Sequence, residues 1–185
     1  MKAGSTWGCW ALVALLSLPA LATERSASLY QMHEKLLNQD GKSIDLDVYR
    51  GKKVLVTMFY GSCPATCPLI IDTLRAIERK VDDAQRHDLR VLLVSLDAER
   101  DTPAVLRQLA DTRRIDTTRW TLAHADAAAV RRIAAALSVR YKKLPDGQFS
   151  HSTIISALDV DGKIVTQSAE LGHVDPEVLK AISAK

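Results

Sequence analysis

The chain has 185 residues, 25 Lys and Arg against 22 Asp and Glu, a formal net charge of +3 at pH 7, and 47% hydrophobic residues. That length and balance fit one ordinary globular domain, and a charge so near neutral, with its basic residues scattered, gives no footing for nucleic acid. At 5%, aromatic residues are too few for a base-stacking platform.

The first 22 residues are expected to lie outside that domain. Lys2 is a thin positive start, Trp7 to Leu18 is an apolar run of 12 residues, and Ala20-Leu21-Ala22 supplies the small residues a signal peptidase reads. A membrane-spanning helix needs roughly 20 apolar residues. The expectation is a cleaved export signal over 1–22 and a domain over 23–185, periplasmic and not strongly membrane-bound; the competing reading is an uncleaved anchor. Cleavage removes Cys9, so the exported chain keeps Cys63 and Cys67.

Leu29 to Leu37 and Lys42 to Leu46, on either side of Asn38-Gln39-Asp40-Gly41, predict an N-terminal hairpin, the strand-like alternation running on to Val48. Val54 to Tyr60 is a near-continuous apolar run suited to a central strand. Beyond Pro68, Leu69, Ile70, Leu74, Ile77 and Val81 fall at helical spacing. Leu89 to Leu96 reads as a second buried strand, so the crossover between the two is parallel and right-handed. Thr102-Pro103 opens a helix to about Thr112. Trp120 to Ala123 is a short strand and Ala125 to Ser138 a helix. Pro145-Asp146-Gly147 is a turn, Ser152 to Leu158 a strand, and Asp161-Gly162 the turn of a hairpin completed by Lys163 to Thr166. Asp175-Pro176 begins a last helix to about Ser183. The sum is a three-layer α/β domain with a mixed central sheet, parallel first and closing with an antiparallel hairpin.

Cys63-Pro64-Ala65-Thr66-Cys67-Pro68 lies where the first buried strand turns into the first helix. Backbone N–H groups and the positive end of the helix dipole are expected to favour thiolates there. Two cysteines in an exported chain also suit a structural disulfide, but so short a loop gives a bridge little to constrain. Such a turn suggests the thioredoxin group. The spacing is one residue wider than Cys-x-x-Cys, however, and Phe149-Ser150-His151-Ser152-Thr153 carries no proline ahead of its strand. Two thiolates and the His151 imidazole make a soft three-donor set that suits Cu(I) and adapts to Cu(II). Thiol–disulfide exchange by Cys63 and Cys67 with His151 tuning the thiolate, and redox or copper sensing, stay open on these residues alone.

The Cys63–Pro68 run, the Val94-Ser95-Leu96-Asp97-Ala98-Glu99-Arg100-Asp101-Thr102-Pro103 stretch and His151-Ser152 ahead of Asp159-Val160-Asp161-Gly162 together resemble the SCO/SenC copper-chaperone family, over roughly Gln39 to the final helix. The resemblance implies a thioredoxin-like fold and copper held by Cys63, Cys67 and His151. It also implies delivery of that copper to, or maintenance of the thiols of, the dinuclear copper site of cytochrome c oxidase subunit II. Another exported copper protein and a thiol–disulfide reductase are the other expected partners. Ala98 stands where the family usually has proline, and Tyr60-Gly61-Ser62 replaces its common lead-in. Asp97, at the end of a buried strand, is read either as a group supporting the metal site or touching a partner, or as a cap on the next helix. His33, His87, His124 and His173 have no companion thiol, and Met58 reads as core.

Overall fold

In the computed structural model, which describes residues 28–63 and 66–184, both central runs are strands, buried throughout except at half-buried Arg90. The segment read as an export signal lies outside the described residues. A single 3₁₀ turn, Leu29–Gln31, precedes the hairpin β1 (Lys35–Asn38) and β2 (Ser43–Asp45). Next come β3 (Val54–Phe59), α1 (Thr66–Lys80), a short α2 (Asp83–Asp88), β4 (Arg90–Ser95), α3 (Pro103–Thr112), β5 (Trp120–His124) and α4 (Ala127–Ala136). The chain closes with β6 (Tyr141–Lys143), β7 (Phe149–His151), β8 (Ile155–Leu158), β9 (Ile164–Ser168) and α5 (Pro176–Ser183).

Seven strands form one sheet in the order β2-β1-β5-β4-β3-β8-β9. β3, β4 and β5 run parallel, while β1 and β8 flank them antiparallel, each carrying its hairpin partner outward. This is the expected mixed sheet. The N-terminal hairpin extends it by pairing Leu37 and Asn38 with His124 and Ala123. β6 and β7 stand apart as a two-stranded sheet, with Tyr141 opposite His151.

Several predicted boundaries shift: the hairpin arm read from Leu29 begins at Lys35, the strand read from Ser152 at Ile155 and the helix read from Ala125 at Ala127. The alternation Ile44, Leu46, Val48 reads as a strand to Val48, but the strand stops at Asp45 and Leu46–Tyr49 coils into a 3₁₀ turn. That turn buries Leu46 and Tyr49 together and leaves Val48 61% exposed, a pattern that also alternates over so few residues. The unpredicted α2 buries no residue, so no apolar periodicity announces it.

The core lies on both faces of the sheet. One side gathers Val56, Met58, Val94, Ile133 and Leu137; the other gathers Leu55, Phe59, Ile70, Leu74, Leu93 and Trp120. Ile70, Ile71, Leu74 and Ile77 of α1 are all 2% exposed or less. At about 1.5–3 kcal/mol for each fully buried side chain, that face fixes the helix, and with it Cys67, against the sheet. Among the described residues no helix is long and apolar enough to cross a membrane.

Candidate metal centre

The parallel strands β3 and β4 end on the same edge, at Phe59 and Ser95, where folds of this class place their sites. Tyr60 and Gly61 leave β3 there, the chain turns through Cys63, and Cys67 falls in the first turn of α1. The turn is held from β4's side by Asp101, a buried residue whose Oδ2 accepts from the Gly61 N–H at 2.7 Å and from the Ser95 hydroxyl at 2.5 Å. A side chain at position 61 would not fit: its Cβ would stand 2.7 Å from Asp101 Oδ1. Burial pushes the Asp101 carboxyl above the usual carboxylate range.

Both sulfurs are free of disulfide bonds, Cys63 half-buried and Cys67 only 4% exposed. They are neighbours, since each thiol's charge would oppose the other's: Cys63 adds to the upward push that burial gives the Cys67 thiol. Cys67 Sγ donates to the Tyr60 carbonyl at 3.1 Å. The expectation that the helix N-terminus makes both sulfurs thiolates therefore fails at Cys67. The dipole contributes typically 0.3–1 kcal/mol, whereas burying an isolated charge costs several kcal/mol in practice. Burial outweighs the dipole and pushes the Cys67 thiol up.

Tyr60 joins the pieces. It is buried, its hydroxyl donates to Gln148 Oε1 at 3.0 Å, and burial, then the adjacent Cys63 sulfur, raises its ionisation above the ordinary tyrosine value. Its ring lies 5.3 Å from Phe149 and meets His151 edge-on at 5.8 Å. His151 sits on β7, half-buried, and burial lowers its pKa, which favours the neutral imidazole a metal requires. Nδ1 is 3.2 Å from the Ser152 carbonyl. A carbonyl only accepts, so this contact selects the Nδ1–H tautomer and leaves the Nε2 lone pair for another partner. The hairpin is clamped to the loop after β4 by Lys143–Glu99 at 2.6 Å and by Arg100 donating to the Gly147 carbonyl.

The structure thus brings Cys63 and Cys67 together and sets His151 against the same tyrosine. Among the described residues it gathers no three His, Cys, Asp or Glu side chains tightly enough to enclose a metal ion. The donor set itself fits a soft metal: two neighbouring thiols not joined by a disulfide and an imidazole that burial favours in its neutral form, its Nδ1 turned to the Ser152 carbonyl.

Asp97 does not cap the following helix; Thr102 does, accepting from the Val105 N–H at 3.4 Å. The Asp97 carboxylate instead accepts from the Glu99 and Arg100 N–H groups and pairs with the Arg100 guanidinium. The carboxylate that reaches the Cys turn is Asp101, four residues on. The sequence reading passed over it, as it did Tyr60 and Gln148. One signal was available for Asp101: an aspartate directly before Thr-Pro, not needed as the cap because Thr102 serves. His87 pairs with Asp88 and His173 with Glu170, while Met58 is core.

The SCO1/SenC family model matches residues 22–184. The chain belongs to the SCO1/SenC family. The SCO1 protein homolog of Bacillus subtilis is 25% identical over 131 residues, 69% of this chain and 67% of that protein. The copper-bound ScoI of Bradyrhizobium japonicum superposes with a TM-score of 0.67 at 24% identity, over 80% of this chain and 94% of that one. BsSco, described with a disulfide switch and as a member of the Sco family of cytochrome c oxidase assembly proteins, gives 0.67 at 21% identity over 86% and 96%. Those two likenesses establish the thioredoxin-like fold of this SCO1/SenC domain.

Proposed function

We propose that the protein is a copper metallochaperone that holds its cargo through Cys63, Cys67 and His151. We further propose that it passes the copper to, or keeps reduced, the thiols of the dinuclear copper site of cytochrome c oxidase subunit II or another exported copper protein. Residues 1–22 would be its removed export signal, 23–185 the working domain, and the periplasm its compartment. The observation that carries the reading is the pair of adjacent thiols, not joined by a disulfide, next to a tyrosine whose ring meets an imidazole that burial favours in its neutral form. Copper bound to relatives of the same fold and family supports it.

The two sulfurs divide the work by exposure. Cys63, half-buried at the rim, is the sulfur an acceptor's thiolate reaches first; Cys67, under the helix turn, is the one that keeps its place. Binding at Cys67 displaces its proton from the Tyr60 carbonyl. Bound as Cu(I), the metal would supply a soft centre open to ligand exchange, and Nε2 of His151 would be its nitrogen donor.

The test is Cu(I) titration of the reduced protein against a competing chelator. Wild type should bind one equivalent, and His151→Ala, which removes a ligand, should weaken binding by at least about the 10- to 100-fold typical of losing an outer-shell partner. Unchanged affinity in His151→Ala sinks the three-ligand site. Thiol–disulfide exchange is the second reading, favoured by the adjacency of Cys63 and Cys67. It predicts chelator-insensitive turnover of a disulfide substrate by metal-free protein.

A further inference from the structure

The hairpin that carries His151 has two unlike faces. Tyr141, Phe149 and His151 share the face turned to Tyr60, the rings of Tyr141 and Phe149 6.2 Å apart. By strand alternation the opposite face takes Arg140, Lys142, Ser150 and Ser152, with Lys142 opposite Ser150. Arg140, Lys142 and Ser150 are exposed, and with His151 they line an open cleft of about 350 Å³. Lys143, on the inner face, and Arg100 of the adjoining loop are taken up by the clamp, through Glu99, Gly147 and Asp97. Ser152 Oγ accepts from the Arg140 backbone N–H at 3.0 Å, tying the hairpin's two ends together. Among the described residues neither Arg140 nor Lys142 makes an ion pair, as is also true of Arg79, Lys80 and Arg131; what sets these two apart is their place beside His151, while twelve ion pairs engage other lysines and arginines. The only acid within residues 140–152 is Asp146, and it accepts from the Gln148 N–H in the turn.

A chain whose charges nearly cancel thus leaves two uncompensated cations and a hydroxyl on the outer face of the one element that supplies the imidazole. Surface cations without partners steer encounters rather than stabilise folds. What they would steer is whatever approaches the rim where Cys63 and His151 meet the solvent. We infer that the outer face of β6–β7 is a docking surface for a protein partner with carboxylates flanking its reactive cysteine, read by Arg140 and Lys142. This rests on the proposed role of Cys63 as the sulfur that meets the partner.

Two synthetic peptides test it, each with one cysteine capped by thionitrobenzoate and flanked by four Glu in one and four Lys in the other. The Cys63 thiolate attacks the peptide sulfur, the new disulfide joins protein and peptide, and thionitrobenzoate leaves with the electron pair, giving a colour change. Reduced, metal-free wild type should react about tenfold faster with the Glu peptide at low salt. The gap should close in high salt, where screening acts within about 3 Å at 1 M. The Arg140→Gln/Lys142→Gln protein should lose the preference and Arg140→Glu/Lys142→Glu should invert it. Arg79→Gln/Lys80→Gln, at the far end of α1, should keep it. Equal rates in wild type, or a preference that survives charge reversal, overturns the docking surface. So does retention of the protein on phosphatidylglycerol vesicles through these two residues without peptide discrimination, because the face then reads lipid. A parallel Cu(I) titration separates the two readings: Arg140→Glu/Lys142→Glu should load copper as wild type does. Failure of wild type to bind Cu(I) would refute the chaperone reading alone.

Discussion

Asp101 and Gly61 form a pair whose coupling can be worked from the coordinates. The Asp101 carboxylate is 2% exposed and accepts from Gly61 N and Ser95 Oγ, so Asp101→Ala leaves a half-buried amide and a buried hydroxyl without their acceptor. Each such orphan costs about 1–3 kcal/mol, partly offset by removal of a carboxyl that burial disfavours in its charged form; a net loss of about 2–3 kcal/mol follows. Gly61→Ala fails for a different reason. Gly61 is not in the left-handed region, so alanine is allowed by the backbone, but its Cβ would lie 2.7 Å from Asp101 Oδ1. The end of a free side chain would swing aside; this one is tied by two hydrogen bonds, so overpacking should cost about 1–3 kcal/mol. In the double variant the obstructing carboxylate is gone and the Gly61 amide has already lost its partner. The double variant should then unfold close to Asp101→Ala alone, giving a coupling energy of about 1 kcal/mol or more. Urea denaturation of the four proteins in reductant measures the cycle. Additivity within about 0.5 kcal/mol, the usual result for independent sites, would refute the claim that Asp101 holds the Cys63 turn through Gly61.

Three further outcomes follow from the same coordinates. Cys63, half-buried, should consume a bulky thiol reagent in a fast phase and Cys67, 4% exposed and donating to Tyr60, in one slower by at least about tenfold; equal rates in the Cys63→Ser and Cys67→Ser proteins would contradict the assignment. Glu34 is buried and paired with Arg132, which holds its carboxyl below the usual glutamate range. Its contribution to stability is full above pH 4.5, the ordinary value, and is lost as pH falls through the lowered one, so Glu34→Gln should be less stable than wild type at pH 7 and equal to it near pH 2 by urea midpoint. Glu78 has the opposite sign: burial raises its pKa despite the Trp120 Nε1–H at 2.9 Å. Its ionisation opposes folding as pH climbs from 4.5 through the raised value, and Glu78→Gln should flatten that decline and match or exceed wild type at pH 7 by up to about 1 kcal/mol.

Much of the frame was legible because its signals are local. Val54–Phe59 and Arg90–Ser95 announce themselves as near-continuous apolar runs, and Thr102-Pro103 and Asp175-Pro176 each cap a helix within three residues of their own position; the Asp126 cap, one residue into the helix expected from Ala125, was not read. Long-range features were not legible. Tyr141-Lys142-Lys143 has neither apolar alternation nor length, and becomes a strand only because Phe149–His151 folds back on it. His151 was expected on the approach to β8; it belongs to this separate hairpin, where Tyr60 supplies its surroundings. Asp97 and Asp101 are both acids at the end of a buried strand, and nothing local says which will meet Gly61, 40 residues earlier. The family resemblance named the two cysteines and the histidine. The tyrosine and aspartate that position them emerged from packing.

The three proposed ligands come from three units stabilised separately, and this explains why they can stand near one another without closing. Cys67 is fixed by the apolar face of α1, Cys63 by the turn that Asp101 holds, and His151 by a hairpin clamped through Lys143 and Arg100. Cys63 packs against both halves of the core, so it lies at the seam between them. Tyr60 fills the space between that sulfur and the imidazole, its hydroxyl engaged by Gln148 of the same hairpin. A metal joining the sulfurs to His151 therefore competes with the tyrosine's packing, and part of its binding energy goes to moving one against the other. Under the proposed chaperone role, that cost would make the copper easier to surrender than from a site already closed around it, as handing on a cargo requires.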